Sequence, residues 1–95
     1  MRVTATADAV EFIRERGGAL WVWPRHAVRP GLVTLDTSTD PPGRDLRFEP
    51  VPHDGGFRLF LDPRGWGEPE FLDIELRGWR HRRVAAFWNG LAYLQ

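Results

Sequence analysis

Cysteine and lysine are both absent from this chain of 95 residues. Without cysteine the protein can form no disulfide, no thiolate zinc site and no cysteine-ligated iron-sulfur cluster, and it has no thiol nucleophile. Because all 13 basic residues are arginine, a Schiff-base lysine and the lysine of a phosphate-binding P-loop are excluded as well. Several common kinds of metal site and catalytic site are therefore closed to this chain.

The chain also lacks an excess of one charge and a long apolar run. Its 13 basic and 13 acidic residues give a formal net charge of zero, so no overall positive field attracts nucleic acid or an anionic membrane. The N-terminal stretch that starts Met1-Arg2-Val3-Thr4 has neither the apolar segment of a signal peptide nor that of a membrane span. We therefore expect a cytoplasmic protein with no membrane segment, and nucleic acid is not the expected partner.

What is present suits a small globular domain. Apolar residues make up 42% of the chain and aromatic residues 13%, which is enough for a modest core. A chain of this length holds one core of useful size and not two. The composition predicts a single domain over residues 1–95 that folds unaided.

The first element predicted by the pattern is an amphipathic helix. Thr6 is a suitable N-cap, and the helix is expected to run from about Ala7 to Arg16 with Asp8 near its positive end. The glycine pair at 17–18 is expected to end it. One helix is therefore expected to lead the fold.

Short strands are expected to fill the rest of the chain. Alternating or β-branched apolar residues predict strands at 20–23, 31–37, 46–49, 57–61, 71–76 and 84–88. Pro24 is expected to end the first of them, and the runs at 46–49 and 57–61 are expected to form a hairpin. The predicted class is α+β, with one N-terminal helix followed by short, mostly antiparallel or mixed strands that form a small sandwich-like core.

Several strings occur in a suggestive order. They are Val3-Thr4, Thr6-Ala7-Asp8-Ala9-Val10, Gly17-Gly18, Gly56-Phe57-Arg58-Leu59-Phe60-Leu61-Asp62, Ile74-Glu75 and Ala85-Ala86-Phe87-Trp88-Asn89. In content and order they resemble the A-type iron-sulfur carrier family, also called HesB-like or IscA-like, over nearly the whole chain. The resemblance implies a HesB-like α+β fold.

The differences from that family fall on its chemistry. The first cluster cysteine of the family matches the string Val28-Arg29-Pro30-Gly31, in which Arg29 stands at the thiolate position. The family's Cys-x-Cys lies beyond the asparagine, where this chain has only residues 90–95 and no cysteine. Since arginine cannot coordinate iron, the resemblance implies the fold without its cluster site and without a cofactor.

Histidines are the remaining candidates for a metal site or a general base. His26, His53 and His81 are spread along the chain without an i,i+4 or His-x-His spacing. Three partly exposed loop histidines are the favoured interpretation, and a residual metal role through histidines or a partner's ligands is the alternative. The only serine, Ser38, lies in a turn-forming run and is expected to cap a turn.

Residues 77–83 are the best signal for nucleic acid. The segment carries Arg80, Arg82 and Arg83 beside Trp79, and this mixture contacts phosphates and stacks on bases. Acidic residues at 68, 70, 73 and 75 lie just upstream and are able to neutralise it. A solvated charged loop is the favoured interpretation, with nucleic-acid binding as the alternative.

The five tryptophans indicate a contact surface or a heavily aromatic core. Alternation places Trp21 and Trp23 on one strand face, and Val84, Ala86 and Trp88 on another. Either set is a candidate homodimer patch. The leading hypothesis is a non-enzymatic protein that acts by binding an unknown partner or by self-association. Its candidate contacts are Trp21, Trp23, His26, Arg29, Trp79, Arg80, Arg82 and Arg83.

Overall fold

Period-two alternation along the chain makes strands the main element of the fold. A computed structural model describes residues 1–26, 33–43 and 47–94. In chain order the described elements are β1 (Arg2–Ala5), α1 (Ala7–Glu15), β2 (Ala19–His26), β3 (Val33–Ser38), β4 (Glu49–Val51), β5 (Arg58–Leu61), β6 (Phe71–Arg77), β7 (Arg83–Trp88) and β8 (Tyr93–Leu94).

The described strands form two sheets. One has three strands in the order β1-β6-β7, and the other has five in the order β4-β5-β2-β3-β8. Strand β1 pairs with β6 in parallel, and β2 pairs with β5 in parallel. The remaining pairs are antiparallel. Both sheets are therefore mixed.

The core lies between the inner faces of the sheets and the helix. The largest side chains with almost no exposed surface are those of Ile13, Leu20, Val22, Leu59, Leu72 and Ile74. They come from α1 and from both sheets, so the helix and the sheets share one apolar cluster. Full burial of such a side chain contributes roughly 1.5 to 3 kcal/mol, and this cluster holds the layers together.

The predicted α+β class is wrong, because the domain is β-rich with one short helix among its described elements. Helix α1 has nine residues, and it follows a strand instead of leading the fold. The Val3-Thr4 string, for which no strand is predicted, belongs to β1, whose partner β6 begins at Phe71. Local alternation over four residues cannot reveal a partner so distant in sequence.

The helix itself forms close to where the pattern predicts it, from Ala7 to Glu15. Thr6 occupies the N-cap position, but its side chain makes no capping bond. Its hydroxyl donates instead to Asp8 Oδ1 at 2.5 Å, and the Ala9 N–H donates to the same oxygen at 2.8 Å. Gly17 and its neighbour then end the helix with positive φ, as predicted.

Pro24 does not end β2, contrary to prediction, because the strand continues to His26. The Val22 carbonyl accepts a bond from the Asp62 N–H on the β5 side, and Pro24, two residues on, points the same way. Strand β5 ends at Leu61, which pairs with Val22. The missing N–H of Pro24 therefore breaks no ladder bond.

The other predicted elements largely form. Strands β4 and β5 pair as the predicted antiparallel hairpin, but β4 spans Glu49–Val51 and not 46–49. Arg47 and Phe48 lie outside the strand, and position 46 is outside the described residues. Strands β3, β6 and β7 cover the remaining predicted runs, with positions 31 and 32 also outside the description. Over the described ranges, no helix is long and apolar enough to cross a membrane.

Candidate functional site

Two pairs of aromatic side chains lie on the outer face of the five-stranded sheet. Trp21 alternates with the buried Leu20 and Val22 and therefore points away from the core. It stacks on Phe60 of β5, its partner in the register, with ring centroids 5.3 Å apart and an interplanar angle of 13°. We call Trp21, Trp23, Phe48 and Phe60 the aromatic face.

The aromatic face extends along β2 from Trp21 to Trp23. The ring of Trp23 meets that of Phe48 edge to face, with centroids 5.8 Å apart. All four side chains of the face are partly exposed. Two residues beyond Trp23, Arg25 forms an ion pair at 3.1 Å with Asp36, the register partner of Trp23. One positive and one negative charge therefore border the rings.

The second predicted patch is wrong. Val84, Ala86 and Trp88 are only 7%, 5% and 6% exposed, because this side of β7 faces the core. The same alternation that pairs Trp21 with Trp23 pairs these residues, so the sequence alone could not distinguish an outer face from an inner one. Of the two candidate patches, only the Trp21 and Trp23 set lies on an outer face.

The arginine-rich segment forms the turn of the β6–β7 hairpin. Arg77 and Arg83 are the last pair in the register, so residues 78–82 make the connection. Gly78 adopts a φ of +92°, and a Cβ there would overlap the His81 carbonyl oxygen. At the tip, Trp79 is 87% exposed and Arg80 Cζ lies 5.6 Å from its ring centroid. Trp79, one of the predicted contacts, is therefore the most exposed tryptophan among the described residues.

Two of the hairpin arginines join a third from the helix end. A cavity of about 280 Å³ is lined by Phe12, Arg16, Thr37, Ser38, Thr39, Arg82, Arg83 and Val84. The guanidinium carbon of Arg16 lies 4.1 Å from the ring centroid of Phe12, which holds that side chain in place. We call this site the arginine cavity.

The acidic residues upstream do not neutralise the arginine cavity through ion pairs. Glu75 lies 3.4 Å from Arg77, and Asp73 accepts a hydrogen bond from Thr4. Across the part of the chain that the structure describes, no ion pair within 4.0 Å includes Arg16, Arg82 or Arg83. Sequence reasoning missed this cavity because Arg16 is far from the hairpin along the chain.

Asp8, in the first turn of α1, has a lowered pKa for mainly local reasons. The hydrogen bond from the Thr6 hydroxyl lowers the pKa of Asp8 most, and the backbone N–H of Ala9 adds to the effect. The positive charge of Arg82 lowers that pKa further as the smallest contribution. The carboxylate is fully exposed, so water screens its attraction to the arginine.

The two histidines whose side chains the structure describes, His53 and His81, are not brought into a metal site. His53 Nδ1 accepts a hydrogen bond from the Gly55 N–H at 3.0 Å, and its ring packs on Phe57 with centroids 4.6 Å apart. His81 lies in the exposed hairpin turn. Within the described ranges, no group of three or more potential ligands could hold a metal ion. The His26 side chain and all of Arg29 lie outside the description.

Ser38 and Asn89 use their side chains to hold the backbone in place, and the sequence predicted this role only for Ser38. Ser38 caps a turn as predicted, since its hydroxyl donates to the Asp40 carbonyl at 2.7 Å and accepts from the Asp40 N–H at 3.0 Å. Asn89 was missed. Its side-chain oxygen accepts from the N–H groups of Glu70 and Phe71 at 2.8 and 3.0 Å. The only local signal in the sequence is the asparagine-glycine pair at 89–90, which is typical of turns. The positive φ of Asn89 is seen only in the structure.

Comparison with known proteins assigns no family to this domain. No family model matches the chain, and neither a curated protein nor a solved structure matches it. The resemblance to the A-type carriers therefore stays a prediction. The candidate sites have to be judged on their own geometry.

Proposed function

We propose that the protein is a non-enzymatic binding module that self-associates through the aromatic face. The observation that carries this proposal is the presence of two aromatic ring pairs, Trp21–Phe60 and Trp23–Phe48, with all four rings partly exposed on the outer side of the five-stranded sheet. Aromatic side chains are enriched at protein interfaces because each offers a large, rigid contact area. A cytoplasmic location belongs to the same proposal.

A second copy of the chain is the partner that best suits this face. In a dimer with a two-fold axis, each copy contributes the same face to the interface. The bordering Arg25 and Asp36 carry opposite charges, so each copy presents an acid and a base to the other. The formal net charge of zero means that the copies do not repel one another at long range.

Sedimentation equilibrium of the wild type and of two matched tryptophan variants tests the proposal. Trp21→Ser removes a ring from the aromatic face, whereas Trp79→Ser removes one from the hairpin tip. We expect a monomer-dimer equilibrium in the micromolar range for the wild type. Trp79→Ser should retain it, and Trp21→Ser should weaken it by at least tenfold while keeping the far-ultraviolet circular dichroism of the wild type.

Two outcomes would refute the proposal. One is a wild type that stays monomeric up to high micromolar concentration. The other is equal loss of association in both variants, which would place the interface elsewhere. Phe60→Ser, which removes the ring stacked on Trp21, is a second variant in case Trp21→Ser does not fold.

The alternatives have less support in the geometry. A metal role would need ligands that converge, and in the described residues His53 and His81 lie in separate loops. Nucleic-acid binding would use the exposed Trp79 and Arg80 at the hairpin tip. Both stay predictions, and the expectation that the protein has no catalytic activity stays one as well.

A further inference from the structure

We infer that the arginine cavity binds an oxyanion of the phosphate type, either free phosphate or the phosphate group of a small ester. The inference goes beyond the proposed self-association, since the cavity lies at the meeting point of α1, β3 and β7 and includes none of the four aromatic-face residues. It rests on three features of the cavity: its charge, its geometry and the state of its hydroxyl groups.

Charge is the first feature. Arg16, Arg82 and Arg83 line the same cavity of about 280 Å³, and no acidic side chain lines it. Three guanidinium groups without counterions repel one another, and an anion between them removes that repulsion. Asp8 does not line the cavity, its carboxylate is fully exposed, and the charge of Arg82 is the smallest influence on its pKa. Water screens this attraction, so Asp8 offsets the positive potential of the cavity only weakly.

Geometry is the second feature. Arg16 follows the end of α1, while Arg83 begins β7 and Arg82 immediately precedes it. Each is thus anchored close to a regular element, not at the free tip of a loop. The stacking of Arg16 on Phe12 at 4.1 Å limits the freedom of the guanidinium group, and a planar fork of N–H donors suits the oxygens of phosphate.

The hydroxyl groups are the third feature. Thr37 already donates to the Val84 carbonyl at 2.6 Å, and Ser38 donates to the Asp40 carbonyl at 2.7 Å. Those two hydroxyls hold the wall of the cavity in shape. Thr39 makes no side-chain hydrogen bond to the described residues, so its hydroxyl remains a donor for the anion. The site combines three cationic forks with one neutral donor.

The experiment is a titration with inorganic phosphate, followed by isothermal calorimetry and by the backbone amide NMR signals of the protein. Sodium chloride keeps the ionic strength constant. We expect saturable binding that shifts the amide signals of Thr39, Arg82 and Arg83. Replacing Arg82 and Arg83 together by glutamine should weaken binding by at least tenfold. Arg16→Gln should weaken it by a smaller factor.

Arg80→Gln is the matched control. It removes one positive charge from the same hairpin but from outside the cavity lining, so phosphate affinity should change by less than about twofold. An equal loss in Arg80→Gln and in the Arg82/Arg83 variant would overturn the proposal, because it would show only a diffuse charge effect. Absence of saturable phosphate binding at low salt would overturn it too.

A second arm of the titration separates the two sources of the anion. A nucleoside monophosphate that binds at least tenfold more tightly than inorganic phosphate would support the site and identify a small phosphate ester as its ligand. Equal affinities would support a site for free phosphate. Single-stranded DNA that binds through Trp79 and Arg80, with no phosphate binding by the cavity, would contradict the inference and favour the hairpin tip.

Discussion

The aromatic face and the arginine cavity are built in different ways. In the aromatic face, Trp21 and Phe60 are partners in the register of one sheet, and their contact follows from strand pairing. In the arginine cavity, Arg16, Ser38 and Arg82 come from a helix end, a strand end and a turn. The first site depends on secondary structure and the second on the way in which three elements pack.

The difference predicts different sensitivities. A site within a sheet survives damage to loops, because the ladder of β2 and β5 holds its side chains. A site between elements is lost when any one element shifts. Changes in the helix or the hairpin should therefore affect the arginine cavity and leave the aromatic face intact.

Ile13→Ala should have the largest effect. Ile13 has no exposed surface and fixes α1 on the core, so its truncation should destabilise the domain by about 2 to 5 kcal/mol. Chemical denaturation followed by fluorescence measures the change. A loss below about 1 kcal/mol would show that the helix contributes little to the core. If the variant still folds, it should lose phosphate affinity before it loses self-association.

Gly78→Ala should come next, with a destabilisation of about 1 to 3 kcal/mol. The added Cβ overlaps the His81 carbonyl, and the φ of +92° is unfavourable for alanine. The same denaturation experiment measures it, with Gly43→Ala as the control because a Cβ at Gly43 meets nothing within 4 Å. Equal stability of the two variants would mean that the hairpin adapts freely.

Trp21→Ala should destabilise the monomer by about 1 kcal/mol, since it removes the stacked pair with Phe60 and leaves the core intact. Denaturation at low protein concentration, where association is negligible, isolates this effect. A loss of 3 kcal/mol or more would indicate that the ring is part of the core and not a surface group.

Replacing Arg80, Arg82 and Arg83 together by alanine should change stability by no more than about 1 kcal/mol. All three side chains are exposed, and none takes part in a described ion pair. Thermal unfolding followed by circular dichroism measures it. A large stabilisation would show that repulsion among the arginines is stronger than exposure suggests.

The smallest effect is expected from Asp8→Asn, and it depends on pH. The folded protein lowers the pKa of Asp8 through the Thr6 hydroxyl first, so the ionised group stabilises the fold at neutral pH. That contribution disappears as the pH falls from about 4 through the lowered pKa. The wild type should therefore lose part of its advantage over the variant below pH 4. A constant difference from pH 7 to pH 2 would exclude this contribution.

The sequence predicts the elements better than their arrangement. Alternation located β5, β6 and β7 and the shared face of Trp21 and Trp23. It failed for β1, since a strand of four residues has a partner that starts at Phe71, and it failed at Pro24, where the end of the neighbouring strand removes the need for an N–H. Inner and outer faces carry the same alternation, so the burial of Trp88 followed only from the packing of the sheets.

The candidate sites divide in the same way. Trp21, Trp23 and Trp79 were identified because strand faces and turns are local properties. The arginine cavity was missed because Arg16 lies at the end of a helix and Arg82 in a distant turn. Only the packing of α1 on β6, the sheet neighbour of β7, brings them to one cavity. His26 and Arg29 stay untested predictions, since the structure describes neither side chain.

The most direct test of the aromatic face follows the indole N–H signals of the tryptophans by NMR as the protein is diluted. The chain has five tryptophans, and substitution of each assigns its signal. If the aromatic face forms the dimer, the signals of Trp21 and Trp23 will shift with concentration, while those of Trp66 and Trp79 will not. Shifts confined to Trp79, or no shift of Trp21 over a range in which sedimentation detects dimer, would contradict the account.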